Sequence, residues 1–502
     1  MDDTSAKTDR QILKSTFVMG ASSIVNSLLG IVRTKVIAIL LGPAGMGLTG
    51  IYITITNVVG TLSGMGVGDS GVRQIAGAFG SGDPVAVSRT VKAVQRMAIL
   101  FGLAGLAIML VFRSGISSLT FGHTGHAVDV ALLSLTVFFG AVSAGQTALI
   151  QGMRRIADLA KVSICGALLG TILSVPAIYF LGERGIVLYL IIVSATAFLA
   201  SWWYSSRISI PAVPTSWRSI LADARPLLKL GLALMSGALM SAGTQYLLRV
   251  LIVREMGLPA AGAYHASTTL SLVYVGVILN AMLTDFYPRL SAASHDHEAC
   301  TTLINKQIEI GLLLAVPGIL AIMTFAPLVI VIFYSSKFTL AAEILKWQVL
   351  GVLLQVVSWP MGFMLRAKGN GKLFFLTELF ANLTLLTLAW LAMKRFGVPG
   401  IGMAFFVMNL AYWWLIFLVD HYNYGFFFSR ANLRIAAIFV LTTAAVFVTP
   451  FLLAGPIHLV INSLVTLTVG AFSFWSLCDK TKAEMVPAIF HKIRRALGAH
   501  AN

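Results

Sequence analysis

Apolar residues gather in fourteen long runs separated by short polar breaks, near residues 16–41, 46–66, 91–112, 128–150, 162–181, 185–206, 227–250, 261–284, 308–334, 343–365, 373–393, 397–419, 434–454 and 457–477. Each run is about 20 residues or longer, enough for an α-helix to cross roughly 30 Å of hydrocarbon. The pattern predicts an all-α integral membrane protein with about fourteen transmembrane helices. No break exceeds roughly 30 residues, so no loop has room for a soluble domain, and any chemistry lies inside the bundle or at its two faces.

Polar punctuation repeats along the chain at a spacing of 216 residues. Arg33 returns as Arg249, Pro43-Ala44 as Pro259-Ala260, Asp69 as Asp285 and Arg73 as Arg289, while Leu181–Ile186 (LGERGI) returns one register off as Phe396–Ile401 (FGVPGI). These are charges and helix breakers, which match by chance far less often than apolar filler. The spacing therefore predicts two six-helix halves, residues 1–206 and 226–420, joined by a cytoplasmic linker over 207–225. Six is even, so both halves enter the membrane in the same direction and the pseudo-twofold axis runs along the membrane normal. Residues 421–478 form an unrepeated C-terminal helical hairpin, helices 13 and 14. In the tail, 479–502, basic residues alternate with Met485, Ile489, Ile493 and Leu497, the spacing of an amphipathic helix on an anionic leaflet or of a solvated helical tail.

Composition agrees with the pattern, at 58% hydrophobic and only 11% charged residues. A net charge of +17 raises the question of nucleic acid, but the positions of the charges argue against it. With the N-terminus cytoplasmic, 26 of the 36 Lys and Arg fall in the tails and even-numbered loops, and only Arg113, Arg184, Arg254, Lys337, Lys394 and Arg395 fall in odd-numbered loops. That is the positive-inside bias of a multi-pass protein with both termini in the cytoplasm. The remaining four, Arg33, Lys35, Arg249 and Lys346, lie within predicted helices.

Those buried cations are the strongest functional signal. An arginine near mid-helix costs about 2.5–3.5 kcal/mol on insertion scales, so something must compensate Arg33 and Arg249. A hydrated cavity or an anion does so in one reading; a carboxylate or backbone carbonyl that locks the halves together does so in the other. Asn26, Gly30 and Arg33 share a face of helix 1, and Ala242, Tyr246 and Arg249 share the equivalent face of helix 7. Lys35 lies about 200° round the helix from Arg33, so either helix 1 bends or Lys35 snorkels to the surface. Asp69 with Arg73, and Asp285 with Arg289, are i, i+4 pairs that serve either as a cytoplasmic gate or as plain helix-end ion pairs.

Other classes of chemistry find little support. The segment Gly60–Gly71 (GTLSGMGVGDSG) lacks the Lys-Ser/Thr ending of a phosphate loop and follows a membrane helix, so its glycines read as close packing or a hinge. The nine histidines show no metal-ligand spacing, the three cysteines no disulfide framework, and no nucleophile or carboxylate pair is placed for catalysis. His265 is a weak proton-relay candidate. Coupling to a proton or sodium gradient is left open, and no cofactor is expected.

Gly42–Leu48 (GPAGMGL) with Lys35 seven residues upstream, Lys337-Phe338-Thr339 followed by Trp347-Gln348, Ala367-Lys368 and Glu378 occur in an order that resembles the O-antigen and enterobacterial-common-antigen flippases. These are lipid-linked oligosaccharide translocases of the multidrug/oligosaccharidyl-lipid/polysaccharide exporter superfamily, and the resemblance spans about 12–420. The family commonly stops after twelve helices, and Arg33 has no matched position in its pattern. The resemblance implies a transporter, not an enzyme, that moves an undecaprenyl-pyrophosphate-linked oligosaccharide, an O-antigen or exopolysaccharide repeat unit, from the inner to the outer leaflet of the bacterial cytoplasmic membrane by alternating access. Its partners would be membrane lipids, a polysaccharide polymerase and a chain-length regulator, with no nucleic acid. Arg33, Lys35 and Arg249 would clamp the pyrophosphate, while Asn26 and Tyr246 would touch sugar hydroxyls. A peptidoglycan lipid-precursor flippase, also with fourteen helices, is the alternative. A cation-coupled drug exporter of the same superfamily fits less well, because the deep charges are mainly basic.

Overall fold

The computed structural model describes residues 2–211, 213, 217–453 and 456–498, with side chains described for these except 2–18, 217–223, 233, 273–274, 277–278, 280–285 and 481–498. Among the described residues there is no β-strand. Ten helical stretches are long and apolar enough to cross a membrane, or eleven with one bent pair in Ala224–Leu272. Two of the ten, Met19–Gly64 with 46 residues and Ile156–Ser206 with 51, are about twice the length of one crossing and break midway. The chain is a multi-pass membrane protein.

The first of these breaks shows how the sequence sets the fold. Helix α1 (Asp2–Gly64) is interrupted at Gly42, whose φ of 66° lies in the left-handed region, immediately before Pro43. Helix α7 (Trp217–Ala292) is interrupted at Gly257, φ 83°, two residues before Pro259. Glycine adopts that backbone without steric cost, and proline cannot donate to the preceding turn, so each pair ends one helix and starts the next. The Gly-Pro punctuation thus interrupts both long helices.

The remaining helices are α2 (Val67–Gly80), α3 (Pro84–Phe121), α4 (Ala127–Gly152), α5 (Ile156–Leu181), α6 (Gly185–Ser206), α8 (His297–Thr324), α9 (Ala326–Phe333), α10 (Thr339–Ala367), α11 (Gly371–Phe396), α12 (Pro399–Tyr424), α13 (Arg430–Leu452) and α14 (Ile457–Gly498). By contact the chain forms two compact units, Met1–His265 with Phe333–Phe338, and Ala266–Ile332 with Thr339–Asn502.

In the first unit α1 packs on α3, α4 and α5, α3 on α4, and α6 on α4 and α5. Helix α3 starts where Asp83 accepts a hydrogen bond from the Val85 N–H at 2.8 Å with Pro84 at the first helical position, a strong start signal. The linker does not hang free: Ser88 Oγ donates to the Pro211 carbonyl at 2.7 Å, and Ile208, Ala224 and Leu227 join the apolar cluster of Val87, Val91 and Val94.

In the second unit α8 packs on α10, α13 and α14, and α12 on α10 and α11. The hairpin of α13 and α14 is tied to α8 through buried Asn305. Its side chain donates to the Phe427 carbonyl at 2.9 Å and accepts from the Ser429 N–H at 2.8 Å, and Asn432 Nδ2 donates to its carbonyl at 2.8 Å. Lys480 on α14 pairs with Glu309 on α8 at 2.5 Å. The side chains of the tail beyond Lys480 lie outside the described residues.

Candidate functional site

Arg33, Lys35, Asn26, Tyr246 and Arg249 lie within the first unit, on the two broken helices. Where α1 and α7 cross, a Cβ added to Gly47 would strike the Leu258 carbonyl, and one added to Gly262 would strike the Pro43 carbonyl and approach the Gly47 nitrogen to 3.0 Å. The two backbones touch with no side chain between them, and the contacts are reciprocal. Close approach of this kind is what small residues permit in membrane helices, where packing and not solvent drives association.

Arg249 stands beside this crossing, 8% exposed. Its Nη1 donates to the Gly50 carbonyl of α1 at 3.2 Å, and its Nη2 lies 3.2 Å from His265 Nδ1. A guanidinium has only donors, so the imidazole nitrogen is the acceptor and His265 carries its proton elsewhere on the ring. The guanidinium carbon sits 5.7 Å from the Tyr264 ring centre. All these partners are neutral, and Arg249 Nε is buried without one.

Arg33 is half-buried on α1, and its Nε is likewise shielded and unpartnered. Among the described residues neither Arg33 nor Arg249 pairs with a carboxylate. Among the described residues neither arginine has the carboxylate partner that the locking reading allows, while the Gly50 carbonyl gives Arg249 the backbone partner of that same reading. Lys35 is half-buried on the same helix.

Asn26 and Tyr246 are engaged by protein. Asn26 Nδ2 donates to Ser163 Oγ on α5, and the Tyr246 hydroxyl lies 2.7 Å from Thr120 Oγ1 at the end of α3. Arg254 strengthens the latter contact by donating to the Leu119 carbonyl at 2.7 Å. Together these bonds dock the first segment of α7 against α3.

Asp69 and Arg73 lie on α2, beyond a break at Met65 and Gly66, whose φ values are 49° and 64°. Both are exposed, and among the described residues they form no ion pair with each other. Asp285 lies outside the described residues, while Arg289 is exposed near the end of α7. His265 and Arg249 are brought together; Glu378 is separate, in the second unit, where its Oε1 accepts from the Tyr412 hydroxyl at 3.1 Å.

The first unit also contains an open-sided cavity of about 500 Å³. Its polar wall includes Thr56, Asn57, Thr61, Asp69, Thr136 and Ser194. Sequence reasoning passed over all of these but Asp69. A signal was present, because Thr56, Asn57, Gly60, Thr61 and Gly64 recur at helical spacing in an otherwise apolar run and so mark one face. The glycine-rich segment Gly60–Gly71 forms part of the wall and the break beside it.

Residues 36–343 match the polysaccharide biosynthesis protein family. The Lipid III flippase of Escherichia coli (strain K12) is 23% identical over 408 residues, covering 80% of this chain and 96% of that protein. The lipopolysaccharide biosynthesis protein WzxC of the same organism is 21% identical over 389 residues, covering 76% of this chain and 75% of that protein. Among solved structures, an inward-facing multidrug resistance MATE family transporter of the MOP superfamily superposes with a TM-score of 0.66 at 17% identity, over 82% of this chain and 95% of that one. The lipid II flippase MurJ in an inward closed conformation gives a TM-score of 0.66 at 14% identity, over 94% of this chain and 100% of that one. The fold is the one these transporters share.

Proposed function

The chain belongs to the polysaccharide biosynthesis protein family, and we propose that it is a flippase, a transporter and not an enzyme, for an undecaprenyl-pyrophosphate-linked saccharide. Cargo would pass from the inner to the outer leaflet of a bacterial cytoplasmic membrane by alternating access. The observation that carries this reading is a pair of guanidinium groups sunk in apolar helices, Arg33 and Arg249, with no carboxylate partner among the described residues. Burying a charge without a counter-charge is expensive, and a mobile anion that completes the pairing would offset that cost. A diphosphate is such an anion, and guanidinium forks match its oxygens with charge-assisted hydrogen bonds. Similarity to a lipid III flippase and a lipopolysaccharide biosynthesis protein supports the same cargo class. Arg249 donates to the Gly50 carbonyl and His265 in this conformation and would exchange these neutral acceptors for phosphate oxygens when the headgroup arrives. Lys35 would add a third cation.

The test is to deplete the protein and analyse the undecaprenyl-linked lipids. A saccharide-bearing lipid should build up facing the cytoplasm, and re-expression should clear it. An unchanged lipid profile on depletion ends the proposal.

A further inference from the structure

We infer that the cavity of the first unit binds sugar residues of the cargo, apart from the arginines that take its diphosphate; this rests on the flippase reading above. Its volume of about 500 Å³ lies within the range of small-molecule sites, about 300–1,000 Å³. The wall presents hydroxyls, an amide and one carboxylate, and no Lys or Arg is among its residues. Several of these groups have bonding capacity to spare. Thr136 Oγ1 is shielded from solvent without a hydrogen-bond partner. Asn57 and Asp69 have no side-chain partner among the described residues. Thr56 donates to the Ile53 carbonyl at 2.9 Å, and Ser194 to the Ile191 carbonyl at 2.9 Å, which leaves their oxygens as acceptors facing the space.

Polar groups of this kind are poor filler for a membrane bundle, where an unsatisfied donor or acceptor costs free energy. Hydroxyl-rich rings satisfy them, because each sugar hydroxyl both donates and accepts, and a carboxylate accepts from two neighbouring hydroxyls at once. The charge pattern selects between the two ends of a lipid-linked saccharide. Asp69 repels a diphosphate and accepts from sugar, while Arg33 and Arg249 do the reverse. The bare helix faces matter as well: a Cβ at Gly60, Gly64 or Gly140 would have nothing within 4 Å, so a sugar ring can lie against the backbone there.

The same open glycines supply the test. Gly60→Leu and Gly140→Leu each start from a Cβ in open space and add bulk at the cavity wall, leaving Arg33 and Arg249 in place. Full-length protein in nanodiscs is titrated with two probes, undecaprenyl pyrophosphate without sugar and the saccharide-bearing lipid pool extracted from depleted cells. Wild type should bind the saccharide-bearing lipid more tightly. Each filled variant should lose that preference by roughly tenfold or more while holding the sugarless lipid within about twofold, and Asn57→Ala should lose part of it. If both filled variants keep the full preference, the cavity is not the sugar site, although the flippase reading stands. If wild type binds neither lipid, the flippase reading fails and this inference with it.

Discussion

Two cavities, one in each unit, differ in chemistry. That of the first unit, about 500 Å³, is walled by threonines, an asparagine and an aspartate. That of the second, about 690 Å³, lies among α8, α10, α12 and α13 and is walled almost wholly by Leu, Val, Phe, Trp and Ala, including Leu312, Trp347 and Phe439. The second shows that a cavity of this size can form with only Asn432 and Thr443 as polar lining. The polar wall of the first is therefore not demanded by folding. On the inference above, a ligand would complete the hydrogen bonds of the first wall, whereas the mostly apolar lining of the second suits helix packing or acyl chains.

The largest effect that would sharpen this contrast concerns the charges of the first unit. Arg33→Ala and Arg249→Ala should each slow flipping by about 10–100-fold, the loss of one or two charge-assisted bonds to phosphate. Insertion and folding should be retained, as read by expression and the melting curve in detergent; full complementation by Arg249→Ala would reduce that arginine to a helix clamp. Next comes the crossing of the broken helices. Gly262→Val drives a side chain into the Pro43 carbonyl and should lower stability by about 3 kcal/mol, because neither backbone can give way. An unchanged melting temperature would mean that the helices do not touch there.

In the second unit the Asn305 network ties helices together, so its removal should be felt in stability. Asn305→Leu strands the Ser429 N–H and the Phe427 carbonyl and should cost about 2–3 kcal/mol, loosening α13 and α14 from α8. Adding bulk to the apolar cavity, as in Ala437→Phe, should leave the preference for saccharide-bearing lipid unaltered; a loss equal to that of Gly60→Leu would erase the distinction between the cavities. The smallest effect is expected for Lys480→Gln. Its pair with Glu309 is partly exposed, with side chains 42% and 16% accessible, and should contribute no more than about 1 kcal/mol in a thermal melt.

The sequence read the chain as all-helical and membrane-spanning, and hydropathy alone accounts for that, since a helix is the only open backbone that satisfies its own hydrogen bonds in lipid. The paired helix breaks were legible too, because Gly42-Pro43 and Gly257 with Pro259 act locally through φ and a missing N–H. Arg33 and Arg249 stood out by their cost in an apolar run. The partners of these residues were not legible. Nothing near Arg249 in sequence points to Gly50, 199 residues away, and Asn26 and Tyr246 prove to be engaged by Ser163 and Thr120, on helices the one-face argument did not involve.

Local chemistry travels with the sequence: length of apolar run, backbone freedom, charge and the side of the membrane that basic loops prefer. Companionship does not. By duplication the first stretch of α7 belongs with the second repeat, yet its contacts as far as His265 place it with the first unit, because glycines let backbones meet wherever shape allows. Whether a threonine lines a cavity or caps its own helix, and whether an arginine meets a carboxylate, a carbonyl or neither, depends on distances of a few ångströms between segments far apart in the chain. Only the packed helices determine those distances.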